Sequence, residues 1–122
     1  MIGRFFGNHE QVDNSRASGH VDTVLVQDEH IVWTFKGVRD LVVFTNQRLL
    51  LIDIQGVGMK VRKHAVPYRS ISHFSTESSG VADMDTELSL YIGGATQPQI
   101  KIPLGRNVDI DAIFRLLSDA ML

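Results

Sequence analysis

The chain has 122 residues, 12 Lys and Arg against 14 Asp and Glu, a formal net charge of −2 and no cysteine. A domain of this size buries roughly two thirds of the surface its unfolded chain exposes, so one ordinary core suffices. Without cysteine there is no disulfide, thiolate metal site or thiol nucleophile, and the near-neutral balance argues against a general attraction to nucleic acid or anionic membrane.

The first residues hold too short an apolar run for a secretory signal, and no run of about 18 apolar residues marks a spanning helix, so a soluble cytoplasmic protein is expected. Ile2, Phe5 and Phe6 form a small apolar cluster that can fold onto the domain, dock on a neighbouring subunit or touch a membrane. Asn8 to Gly19 is polar and aperiodic, which reads as a linker or loosely held arm over residues 1–19 ahead of a domain over 20–122.

From His30 the alternation is clear, with Ile31, Trp33 and Phe35 on one side of a strand and Val32, Thr34 and Lys36 on the other. Gly37 ends it. Leu41, Val43 and Thr45 oppose Val42 and Phe44 in the next strand, and Asn46 and Gln47 turn the chain. Leu49 to Ile54 is apolar on both faces, the mark of a central strand. Gln55 to Gly58 supplies a turn, and a fourth strand runs through Met59, Val61 and Ala65 to Pro67, which cannot donate to a ladder. Further strands follow over Ser70 to Glu77, Asp83 to Ile92, and around Ile100, Ile102 and Leu104. From Val108 the period lengthens to that of a helix, and Ile110, Ile113, Phe114, Leu117 and Met121 form one stripe. Asn107 or Asp109 can cap that helix, and Asp109 and Asp111 favour its positive end.

Several of these residues fall in a distinctive order. Arg39, Asp40, Leu41, Phe44, Thr45, Asn46, Arg48 and Leu49 spell RDL-x-x-FTN-x-RL, followed by Gln55-Gly56, by PY-x-SISHFS at Pro67, Tyr68 and Ser70 to Ser75, and by Asp85, Glu87 and Leu88. With the closing helix, this pattern resembles the bacterial pleckstrin-homology (PH-like) family over residues 20–122. The resemblance and the periodicity together imply a mainly β, PH-like fold. Its seven antiparallel strands would form two near-orthogonal sheets, a partly open barrel capped by one C-terminal helix.

Residues that carry chemistry are sparse. The five histidines, His9, His20, His30, His64 and His73, lack the spacing that lets two imidazoles share a metal, so no metal site and no cofactor are expected. On strict alternation His73 shares a face with Ile71, which reads as a hydrogen-bonded structural histidine. Asp83, Asp85 and Glu87 recur at every second residue, as on a solvated strand face, without the glycine of a calcium loop. No serine sits in a G-x-S-x-G elbow, and Gly56-Val57-Gly58 lies between strands, a turn and not a phosphate cradle. No enzymatic activity is expected.

Two polar sets are left. Lys36 and Arg39 bracket the first strand-to-strand turn, where eukaryotic PH domains carry basic residues that grip inositol phosphates, and Lys60 and Arg62 add charge on the fourth strand. They are the candidates for anionic-lipid binding, although PH architecture alone does not imply it. The second set is Arg39, Asp40, Thr45, Asn46, Arg48, Tyr68, Ser70, Ser72 and His73. In this set Asp40 can bridge Arg39 or Arg48 within the hairpin, and Thr45 with Asn46 can simply set the turn. The alternative is a polar surface for protein contacts at strand edges that a second chain can cover. Resemblance to the family implies a closed homo-oligomeric ring, so self-association and an unidentified protein partner are the expected interactions.

Overall fold

The computed structural model describes residues 3–4, 9–55, 60–78, 86–105 and 108–122. Two short strands, β1 (Gly3–Arg4) and β2 (Glu10–Val12), and a helix α1 (Ser15–Val21) come first. The strands read from alternation follow as β3 (Ile31–Lys36), β4 (Asp40–Thr45), β5 (Arg48–Gln55), β6 (Lys60–Pro67), β7 (Ile71–Ser78), β8 (Thr86–Ile92) and β9 (Ile100–Leu104). A single 3-10 turn, Tyr68–Ser70, joins β6 to β7, and the helix α2 spans Ile110–Met121. Ile2, Phe5 and Phe6, the turn at Gly56 to Gly58, Asp83, Asp85 and Asn107 lie outside the described residues.

The strands form two sheets, a five-stranded one ordered β2-β3-β4-β5-β6 and a four-stranded one ordered β1-β9-β8-β7. The expected class holds in its two mainly antiparallel sheets and C-terminal helix, in a PH-like arrangement, but the short strands β1 and β2 add to the seven expected. β1 adds parallel to β9, with Gly3 opposite Ile100. The barrel is open, since β6 ends one sheet and β7 ends the other. Pleating explains the main core. Phe35, Val42, Phe44, Leu49, Leu51 and Val66 from the larger sheet meet Ile71, Leu88, Leu90, Ile100, Ile102 and Leu104 from the smaller one, with Ile113 and Leu117 of α2.

A second apolar cluster lies on the opposite face of β4 and β5. There Leu41, Val43, Leu50 and Ile52 pack under Ala17 and Val21 of α1. This is why β4 and β5 are apolar on both faces although they belong to an antiparallel sheet, which commonly leaves one face to water. Residues 9–21 are therefore ordered against the sheet, where their composition suggests a linker. Just two small apolar side chains, four residues apart, anchor α1, too weak a period to stand out among Ser, Gly and Asn. Asn14, which precedes the helix, ties it down by donating from Nδ2 to the Val32 carbonyl (3.2 Å) and accepting from Thr34 Oγ1 (3.0 Å).

Asp109 caps α2, its Oδ1 accepting from the Ala112 amide at 3.0 Å, which satisfies one of the donors a helix start leaves unpaired. Ile113 and Leu117 are fully buried, whereas Phe114 is 44% exposed and meets Phe74 edge-on with ring centroids 4.8 Å apart. The apolar stripe is thus narrower than the sequence suggests, with Phe114 on its flank. β7 also departs from strict alternation. A register shift between Ile71 and His73 leaves Ile71 in the core and turns His73 out, where it stacks on Tyr91 at 4.1 Å. After β8 the chain reverses through Gly93 and Gly94 at φ +67° and +70°, a region that penalises any Cβ.

These placements predict unequal costs along α2. Leu117→Ala should lose about 2–5 kcal/mol through the cavity it leaves. Phe114→Ala should lose about 1 kcal/mol, the order of an aromatic edge contact near water. Urea unfolding of both variants checks this, and equal losses would contradict the burial difference.

Candidate interaction surface

The hairpin motif folds onto a segment upstream of it. Between Thr45 and Arg48 the chain turns tightly, with Thr45 Oγ1 accepting from the Gln47 and Arg48 amides at 3.1 and 2.9 Å. Asn46 reaches back to residues 28–30. Its Oδ1 accepts from the His30 amide (2.8 Å) and its Nδ2 donates to the Asp28 carbonyl (2.9 Å). Asp28 itself holds φ at +65°, a left-handed conformation that Asp tolerates better than most residues.

Thr45 and Arg48 then converge on Glu29, whose side chain is wholly buried. Arg48 donates from Nε to Glu29 Oε2 at 2.9 Å and from Nη2 to Oε1 at 3.0 Å, a two-pronged charge-assisted contact. The Val26 amide donates to Oε1 (3.0 Å), the Thr45 hydroxyl lies 2.7 Å from Oε2, and Arg48 Nη2 also donates to the Val24 carbonyl (2.8 Å). Burial by itself would raise the Glu29 pKa. Hydrogen bonds from Arg48, Val26 and Thr45 and the charge of Arg48 outweigh it and hold the carboxyl below its ordinary range. Tyr68 closes the network beneath the turn, its hydroxyl donating to the Thr45 carbonyl at 2.7 Å. Burial first, and then the charge of Glu29, pushes that phenol up, so it stays a neutral donor.

Asp40 belongs to a different contact. Its carboxylate oxygens lie 3.0 and 2.9 Å from Nε2 of His9, which is fully buried. The other ring nitrogen of His9 is 3.2 Å from the Pro103 carbonyl. The His9 amide donates to that same carbonyl (3.0 Å), while the His9 carbonyl accepts from Gly105 (2.7 Å). One residue thus joins β4 of the larger sheet to β9 of the smaller. Gly37 is required beside it, because a Cβ there would overlap the Asp40 carboxylate and come within 2.6 Å of His9 Nε2. The hairpin pairing of Asp40 with Arg39 or Arg48 is accordingly replaced by His9–Asp40 and Arg48–Glu29.

The other sequence-selected residues lie at the surface. Arg39 is exposed in the β3–β4 turn, beside Val38, which is 80% exposed, and Lys36, whose Nζ donates to the Gly37 carbonyl. β5 and β6 pair with Asp53 opposite Arg62 and Gln55 opposite Lys60, so Lys60, Arg62 and His64 line one face and Lys63 the other. Because Asp40 also pairs with Asp53, the β3–β4 turn and the start of β6 lie at the same end of the sheet, which brings Lys36, Arg39, Lys60 and Arg62 to one region. Ser70, the last residue of the 3-10 turn, donates to the Pro67 carbonyl (2.7 Å), and past it Ser72 donates to the Tyr91 carbonyl (2.9 Å) and accepts from Gly94 (3.3 Å). With the exposed His73 they occupy the start of β7, away from the Glu29 network. Glu29 and His9 escape sequence reading because each partner is far along the chain and no spacing rule links them. Among the described residues no group of three or more His, Cys, Asp or Glu is placed to hold a metal, and no helix is long and apolar enough to cross a membrane.

This combination of two sheets, an open corner and a C-terminal helix defines a pleckstrin-homology-like domain. Residues 1–121 match the family model described as Bacterial PH domain, and the chain belongs to that family. It is 36% identical over 119 residues, 97% of this chain and 95% of the other, to uncharacterized protein YjqA of Bacillus subtilis (strain 168). A crystal structure of a DUF1696 family protein with a pleckstrin-homology domain from Shewanella loihica PV-4 superposes with a TM-score of 0.79 at 36% identity, covering 96% of this chain and all of that one. A pleckstrin homology domain from Shewanella amazonensis SB2B gives 0.66 at 40% identity, covering 95% and 94%.

Glu29→Gln should destabilise the fold at neutral pH by about 3–5 kcal/mol, since it leaves Arg48 beside a neutral group in a buried site. The sign with pH follows from the lowered carboxyl. Its contribution is complete above the unfolded value near 4.5 and is lost as pH falls through the lower folded value. The gap between parent and variant in chemical denaturation should therefore narrow below about pH 4. Gly37→Ala should cost about 1–3 kcal/mol by overpacking the His9–Asp40 contact. An unchanged melting temperature for Gly37→Ala would contradict the close approach.

Proposed function

We propose that this bacterial PH domain is a non-enzymatic protein-interaction module that assembles with copies of itself into a closed ring in the bacterial cytoplasm. The observation that carries the reading is a pair of strand edges with which no further strand pairs among the described residues. β6 terminates one sheet and β7 the other, and of their eight residues each, Val66 in β6 and Ile71 in β7 alone are buried. Unpaired edges of this length are templates for a further strand, and soluble proteins cover or blunt them. Supply of that strand by another copy would use backbone hydrogen bonds already aligned. The inward-turned clamp of Thr45, Arg48 and Tyr68 supports the reading indirectly by stiffening the frame. The exposed Arg39, Ser70, Ser72 and His73 are left for contact with copies or with a protein partner.

A second reading, recognition of anionic lipid headgroups, is favoured by the exposed Val38 between Lys36 and Arg39, with Lys60 and Arg62 at the same sheet end. An apolar tip flanked by cations suits a membrane surface. Light scattering should give one discrete mass several times the 13.6 kDa protomer that persists on moderate dilution, and a monomer would overturn the ring. In liposome flotation, binding to anionic vesicles at physiological salt that Lys36→Ala with Arg39→Ala abolishes would establish the lipid reading in its place.

A further inference from the structure

His9 is fully buried, and both of its ring nitrogens face acceptors. Nε2 lies 3.0 and 2.9 Å from the two carboxylate oxygens of Asp40, and Nδ1 lies 3.2 Å from the Pro103 carbonyl. A neutral imidazole carries one N–H and one lone pair, so either tautomer would set a lone pair against an oxygen that has nothing to donate. The doubly protonated ring donates to both. Between the imidazole and the carboxylate, the proton belongs on the imidazole, the stronger base. The surrounding charges agree. Asp40 stands opposite Asp53, two like charges in cross-strand register on β4 and β5, a pairing that a cation beside Asp40 relieves. Arg62 of β6 faces Asp53 but lies against His64 Nδ1 at 3.3 Å. From β2 and β3, Glu10 stands opposite Lys36, and on the smaller sheet Glu87 stands opposite Pro103 and meets Lys101 at 3.4 Å. Among the described residues, the ion pair of Asp40 is with His9.

We infer that His9 is held as an imidazolium whose second proton latches the N-terminal strap, β1 and β2, across the two sheets, so that the strap loosens when rising pH removes that proton. The pairing of the strap is short. β1 pairs over two residues and β2 over three, at or below the usual lower limit for a strand. The backbone bonds on either side of the ring, from the His9 amide to Pro103 (3.0 Å) and from the Gly105 amide to the His9 carbonyl (2.7 Å), depend on His9 being seated between β4 and β9. Deprotonation sets a lone pair against an oxygen in a buried position, where an unmade hydrogen bond is costly. The sign follows. The contact is complete while His9 is protonated and Asp40 ionised, is lost as rising pH strips the imidazolium, and is lost again as falling pH protonates Asp40. Asn14 limits the opening, because its bonds to the Val32 carbonyl and Thr34 anchor the chain just beyond β2. Loosening therefore uncovers the edges of β3 and β9 and leaves α1 in place.

The test is nuclear magnetic resonance on the full chain between about pH 6 and about pH 9, a range that brackets ordinary histidine titration and leaves carboxylates ionised. The Glu29 clamp is complete throughout that range, because its carboxyl is held below 4.5. At about pH 7 the ring nitrogen shifts of His9 should report protons on both Nδ1 and Nε2. Hydrogen-exchange protection of the β2 amides and of Gly105, corrected for the intrinsic effect of pH on exchange, should fall roughly tenfold or more in step with the His9 titration, the scale of one charge-assisted hydrogen bond. Amides of β4 and β5 should keep their protection. Asp40→Asn preserves the shape and an acceptor but removes the charge, so it should flatten the pH dependence while His20, His30, His64 and His73 stay in place to titrate. If that variant does not fold, the shifts and protection of the parent protein decide by themselves. A His9 ring with one bare nitrogen at about pH 7 would overturn the imidazolium. A His9 titration that leaves β2 and Gly105 equally protected, or a loss of protection that persists in Asp40→Asn, would overturn the latch.

Discussion

Placing a carboxylate in a fully buried site is tolerable only if every lone pair finds a donor, and Glu29 meets that condition with one guanidinium, one hydroxyl and one amide. Much of the larger sheet's outer face depends on that solution. The donors come from the β4–β5 hairpin, while the carboxylate and the Val24 and Val26 backbone groups come from the segment that leads out of α1. Satisfying Glu29 therefore fixes that segment against the hairpin, which seats α1 over Leu41, Val43, Leu50 and Ile52. Asn46 repeats the restraint at residues 28–30. The pair is a positioning device. Its net contribution to stability is smaller than its geometry suggests, but losing one member strands the other.

His9 does for the join between the sheets what Glu29 does for one face. The N-terminal segment passes from β1, which extends the smaller sheet, to β2, which extends the larger, and His9 sits between them with a ring nitrogen toward each. That closes one corner of the sandwich. The opposite corner, between β6 and β7, receives α2 and the turn at Tyr68, and among the described residues no further strand pairs with either edge.

The family motif has a clearer meaning in this setting. Thr45, Asn46, Arg48 and Tyr68 serve the frame, and Asp40 serves the inter-sheet contact. Of the residues selected for their polarity, the exposed ones are Arg39, at the hairpin's far end, and Ser70, Ser72 and His73, at the start of β7. Polarity alone could not make that division. A Thr that packs under an arginine and a Ser that meets water look alike in a sequence, and the register shift after Ile71 reverses the face on which His73 would otherwise lie.

Alternation and helical period determined the order of β3 to β9 and α2, because side-chain facing is a local property of a pleated strand or a helix turn. The same local logic identified the two-sided burial of β5 and the turn at Asn46, and offered Asp109 beside Asn107 as the cap of α2. What only tertiary structure decided was every pairing across distance. Arg48 meets Glu29 and not Asp40, Asp40 meets His9, and a polar segment near the start becomes a strand and a helix because the sheet offers them an apolar face. Such choices depend on which groups arrive together when the sheets pack, and a buried charge takes the partner that geometry supplies, whatever its separation in the chain.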